Sequence, residues 1–206
     1  SGVVIHASAP EAIANLLALV KATTESIPLE TAVIESIRSV GLGDRVCIDT
    51  CSLMVDGEGM LVGNSSSLLF LIQAEVKENP YVAPRPFRVN AGPVHAYVRA
   101  PRGRMRYLSE LGSGDPLLVV NWRGASTEVT AGRIKIERRP LVLIHAACGD
   151  MRGTLLVQNA ETIRLTGPGG EALSVAQVKE GEQVLVAVEH AGRHFGIQIQ
   201  ETIQEK

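Results

Sequence analysis

Cysteine is scarce in this chain: Cys47, Cys51 and Cys148 are the only three in 206 residues. An odd count without a secretory spacing pattern excludes a disulfide-stapled secreted domain. Cys47 and Cys51 lie four apart in a strand-like stretch, so they point the same way but sit too far apart to bridge easily. No apolar run reaches membrane-spanning length, and no segment reads as a signal peptide. Reduced thiols, a cytoplasmic location and no membrane partner are therefore expected. Net charge is small, −2 formally, which removes the basic surface on which nucleic-acid affinity rests. The local clusters Arg99, Arg102, Arg104, Arg106 and Arg138-Arg139 then read as solvated turns. Also missing are a P-loop lysine, a dinucleotide glycine fingerprint and a helical His-Glu-x-x-His.

What is present is a globular composition, 45% hydrophobic, enough for one large domain or two small ones. Val3-Val4-Ile5-His6 reads as a buried strand. Ser8 and Glu11 form a capping box with Pro10 in the first turn, and Ile13, Leu16, Leu17 and Val20 follow at helical spacing. A strand buried on both faces needs parallel neighbours, so residues 1–28 read as the remnant of an N-terminal α/β domain. From residue 29 the texture is β-rich. Residues 31–39 and 45–50 read as strands about a turn at Gly41-Leu42-Gly43-Asp44. A turn at Asp56-Gly57-Glu58-Gly59 precedes Met60-Leu61-Val62, and residues 68–74 form a strongly apolar stretch whose length favours a strand.

Residues 107–206 contain an internal echo: Gly114-Asp115 before 117–120, and Gly181-Glu182 before 184–188. Each is followed by a Gly-Arg pair, Gly132-Arg133 or Gly192-Arg193, that opens an alternating strand. Such units suggest duplicated small β-barrel-like modules. The expected class is thus α+β: an α/β remnant (1–28), a central β-rich region with the site (29–106) and a β domain with an internal repeat (107–206).

Residues 75–95, EVKENPYVAPRPFRVNAGPVH, draw the functional reading. Prolines fix φ and remove donors, so this is a poor helix, a poor central strand and a stiff span. Arg85 and Arg88 are the better candidates for an anion clamp, since guanidinium forks match carboxylate or phosphate. Glu75 and His95 bracket the span, and with Glu58 in its Gly-flanked turn they form a hard-oxygen-plus-imidazole set suited to Mg²⁺ or Mn²⁺. Gly63, Asn64 and Ser65 are candidates to cradle a cofactor phosphate on backbone amides, provided they open a helix.

Five segments carry a resemblance: GDRVCIDTCSLM (43–54), GEGMLVGNSS (57–66), NPYVAPRPFRVNAGPVHAYV (79–98), LLVQNAETIRL (155–165) and GRHFG (192–196). In collinear order they resemble the 3-dehydroquinate synthase II family, which includes the archaeal-type enzyme and bacterial 3-amino-4-hydroxybenzoate synthases. The resemblance implies a longer protein with a preceding α/β portion, whose association with this part, or with a second copy, is expected. It implies NAD-dependent oxidative deamination and closure of an amino-ketose acid to 3-dehydroquinate. The alternative activity is a metal-dependent condensation of aspartate semialdehyde with a triose phosphate. A non-catalytic β-barrel interaction module is the reading from another class. By resemblance, Arg85 and Arg88 bind a small anionic substrate; Glu75, Glu58 and His95 hold a metal or move protons; Asn90 orients a carbonyl or hydroxyl.

Overall fold

A computed structural model describes residues 26–78, 80, 82–189, 193–194 and 197–198. The strand and helix expected within residues 1–25 lie outside them, as do His190 and Gly192. Fourteen strands and one 3-10 turn make up the described elements, without an α-helix among them. The strands are β1 (Glu30–Thr50), β2 (Glu58–Gly63), β3 (Leu68–Gln73), β4 (Arg88–Pro93), β5 (Tyr97–Ala100), β6 (Arg104–Tyr107) and β7 (Pro116–Asn121). There follow β8 (Ser126–Cys148), β9 (Met151–Gln158), β10 (Arg164–Thr166), β11 (Ala172–Ser174), β12 (Gln183–Val188), β13 (Arg193–His194) and β14 (Ile197–Gln198).

Every described pairing is antiparallel, and six strands close a circuit: β1–β8–β7–β2–β3–β12 and back to β1. Closure satisfies backbone groups that an open edge would expose. The repeat therefore does not fold as two separate modules. Its equivalent strands, β7 and β12, stand on opposite sides of one circuit, and residues 29–106 and 107–206 contribute interleaved strands to it. The second Gly-Arg copy leads into β13 and β14, which pair with each other outside this sheet. The first, Gly132-Arg133, lies inside β8 rather than at a strand start.

Alternation along the circuit builds two cores. Met60 and Val62, Leu68, Phe70 and Ile72, Leu117 and Val119, and Val184 and Val186 enter the larger. Leu61, Leu69 and Leu71, Leu118 and Val120, and Leu185 and Ala187 enter the smaller, with Ile27 and Met105. Apolar side chains on both faces explain why these strands read as continuous hydrophobic runs. Each buried Leu, Phe or Val stabilises by about 1.5–3 kcal/mol relative to exposure.

Two local expectations change. Gly41-Leu42-Gly43-Asp44 is not a turn: β1 runs through it, paired with residues 138–141 of β8, and a register shift between Ser39 and Gly41 absorbs the irregularity. Gly41, at φ +90°, supplies a backbone state that a bulge uses and that other residues avoid. In the proline-rich span only the first part is irregular; Arg88–Pro93 is a buried strand, with Pro93 closing it. β4 pairs with β1 alone, so the missing proline donor breaks no ladder.

Candidate functional site

The site is built on one face of three adjacent strands. Along β1, Val46 and Ile48 enter the core, so Arg45, Cys47 and Asp49 take the opposite face; all three are buried. Asp49 lies opposite Arg88 on β4 and opposite Arg133 on β8. Arg88 donates from Nε to Asp49 Oδ1 (2.7 Å) and from Nη2 to Oδ2 (2.9 Å). Arg133 donates to Oδ2 from Nε (2.8 Å) and Nη2 (2.6 Å).

A second carboxylate extends the row. Glu75 donates its backbone N–H to the Arg88 carbonyl at 2.9 Å, and its side chain pairs with Arg85 at 3.2 Å. The order is Arg85, Glu75, Arg88, Asp49, Arg133, with charges alternating. Its inner members are buried, whereas the Arg85 and Arg133 side chains are 39% and 62% exposed. Further along β8, Glu137 gathers Arg45, Lys135 and Arg139. The face thus carries six cations against three carboxylates, and its exposed rim is cationic.

Electrostatics follow from this packing. Burial pushes the Asp49 carboxyl up, but hydrogen bonds and charge from Arg88 and Arg133 outweigh it and hold the group below the usual value. The Asp49 hydrogen bonds raise Arg88, overcoming its own burial. Burial pushes the Cys47 thiol up, only partly countered by Arg45 and Arg88. Arg45 donates to its sulfur. Cys47 is a shielded thiol, not an activated nucleophile.

The expected residues are placed unevenly. Glu75, Arg85, Arg88 and Asn90 come together, Asn90 being the β4 partner of Cys47. Asn90 donates to Gln158 Oε1 at 3.2 Å, while its buried Oδ1 has no donor among the described residues. Arg88 is corrected in role: Asp49 occupies its fork, so it supports the rim rather than clamping a ligand. Arg133, singled out in the sequence only as a strand opener, supplies the exposed guanidinium. The signal was the i, i+2 polar alternation Arg45, Cys47, Asp49 within an otherwise buried strand.

The metal set does not assemble. Glu75 sits beside the start of β4, and exposed His95 follows its far end, about 20 Å away along extended backbone. The Glu58 carboxylate accepts the Val55 N–H. Among the described residues no three His, Cys, Asp or Glu group as ligands, so Glu58, Glu75 and His95 do not fit a divalent metal as one set. Gly63, Asn64 and Ser65 are corrected too: Gly63 closes β2, Asn64 and Ser65 begin the turn to β3, and they open no helix. Asn64 instead ties that turn to β9, donating to Thr154 Oγ1 and accepting from the Leu156 N–H. The dinucleotide cradle expected there does not fit either.

The geometry defines a class, an antiparallel β domain presenting a cationic rim braced by buried carboxylates. Residues 31–206 match the family profile described as the 3-dehydroquinate synthase II C-terminal domain. The chain belongs to the 3-dehydroquinate synthase II family. It is 50% identical over 206 residues to a "3-dehydroquinate synthase" of Methanospirillum hungatei, covering all of this chain and 63% of that protein. A "3-dehydroquinate synthase" of Methanocaldococcus jannaschii is 52% identical over 207 residues, 57% of its length. A "3-dehydroquinate synthase homolog" of Aquifex aeolicus is 50% identical over 205 residues, 62% of its length. The chain therefore spans less than two thirds of these relatives. No solved structure matches it.

Proposed function

We propose that this chain is the substrate-anion-binding portion of a 3-dehydroquinate synthase II-type enzyme. Its reaction is the NAD-dependent oxidative deamination and closure of an amino-ketose acid to 3-dehydroquinate. Family membership and the relatives' names support the reaction class; the observation that carries the site is the Asp49 carboxylate held between Arg88 and Arg133.

Arg85 and Arg133 bind the substrate carboxylate at the rim. Glu75 and Asp49 fix those guanidiniums in place, so less side-chain freedom is lost on binding. NAD supplies hydride acceptance when bound; Gly63, Asn64 and Ser65 form no cradle for it. The test uses the full-length enzyme, NAD and the amino-ketose acid, following NADH absorbance. A well-folded enzyme giving no NADH would overturn the reaction assigned.

A further inference from the structure

A second charged concavity lies beside the β5–β6 hairpin, a cavity of about 360 Å³ lined by Ala100, Pro101, Arg102, Arg104, Arg106, Asp115, Pro116 and Glu128. Glu128 is five residues from Arg133 along β8, about 15 Å of extended strand, so this place is separate from the charge row. Two of its charges are already neutralised. Arg106 pairs with Asp115 at 2.8 Å and donates to the Glu110 carbonyl at 2.6 Å. Asp115 also accepts the Gly112 N–H at 2.7 Å.

The remaining charges are different. The side chains of Arg102, Arg104 and Glu128 make no hydrogen bond or ion pair with another described residue. Opposite charges thus line one concavity without meeting. The hairpin turn holds Arg102 at φ +62° and Gly103 at φ +69°. A turn with two such residues favours Asn, Asp or Gly in its first position, yet an arginine stands there at the cavity's edge. Apolar wall comes from Ala100, Pro101 and Pro116, and the volume falls in the range of small-molecule sites.

We propose that this cavity binds a small aliphatic α-amino acid as its zwitterion. The ligand carboxylate meets Arg102 and Arg104, whose forks suit it. Its ammonium meets Glu128, and its side chain lies on the Ala-Pro wall. A simple anion leaves Glu128 unanswered, and a simple cation leaves both arginines so. A ligand with both charges answers more of the lining than either simple ion does. The inference stands independently of the reaction assigned to the enzyme.

Isothermal titration of the 206-residue chain tests it, with L-leucine, its des-amino analogue 4-methylpentanoate and its decarboxylated analogue 3-methylbutylamine as probes. Saturable L-leucine binding is expected, lost in Arg104→Ala. Glu128→Gln is expected to weaken L-leucine at least about tenfold while leaving 4-methylpentanoate unchanged. All three positions are exposed, and an unchanged unfolding midpoint verifies that the variants fold. Absence of L-leucine binding at ~10 mM, well above the millimolar affinities of weak sites, would overturn the proposal. So would equal binding to Arg104→Ala, or 4-methylpentanoate binding as tightly as L-leucine.

Discussion

Asp49 and Arg88 face each other across β1 and β4 and share two hydrogen bonds, 2.7 and 2.9 Å long, with both side chains about nine-tenths buried. Removing one charge of such a pair strands the other in a poorly solvated place. Asp49→Asn keeps the shape and removes the charge, so it is expected to destabilise the domain by about 3 kcal/mol or more. Denaturant unfolding measures this. A loss below ~0.5 kcal/mol, the scale of ordinary surface substitutions, would contradict the reading.

The same pair sets an acid response. Asp49 titrates below its ordinary value in the folded chain, so between the two values the unfolded chain binds more protons. The stabilisation is complete above the ordinary carboxylate value, about 3.9, and is lost as pH falls through the lowered folded value. Stability of the native chain should therefore drop from about pH 4 downward, more steeply than that of Asp49→Asn. Equal slopes in acid would show that Asp49 is not the group responsible.

The thiols should separate by burial. Cys47 and Cys148 are buried and raised, chiefly by desolvation, whereas Cys51 is exposed. Iodoacetamide at mildly alkaline pH should label Cys51 first in the native chain, with the other two following only on unfolding. Mass spectrometry of the labelled peptides decides it, and prompt Cys47 labelling would contradict the buried face.

Trp122, the only tryptophan, rests against two glycines with left-handed backbone, Gly57 at φ +78° and Gly170 at φ +89°. A Cβ at Gly170 would stand 2.9 Å from the ring. Gly170→Ala should cost about 1–3 kcal/mol from strain and displace the ring, shifting its emission. Unchanged emission and stability would show that the approach is not tight.

Some of this was legible in the sequence because one-dimensional signals carried it. The β2, β3, β7 and β12 strands follow from apolar runs bounded by Gly-containing turns, and Glu75, Arg85, Arg88 and Asn90 from one stiff segment. The closed circuit was not legible. Whether β7 and β12 form two modules or one ring depends on the pairing of β1 with β8, residues about a hundred apart, and no local pattern encodes that. The same pairing brings Arg133 to Asp49, and the pairing of β1 with β4 brings Asp49 into the fork of Arg88; neither is encoded locally. Gly63-Asn64-Ser65 misled because an amide-rich turn reads alike before a helix or a strand.

The most direct test is kcat/KM of the full-length enzyme carrying Arg85→Ala and Arg133→Ala together. Each charge-assisted contact is worth about 1.5–3 kcal/mol, so the account predicts a fall of about a hundredfold or more in the folded double variant, with a lowered unfolding midpoint because buried Glu75 and Asp49 each lose a partner. A double variant that folds and retains the native kcat/KM would contradict the cationic rim as the substrate-binding surface.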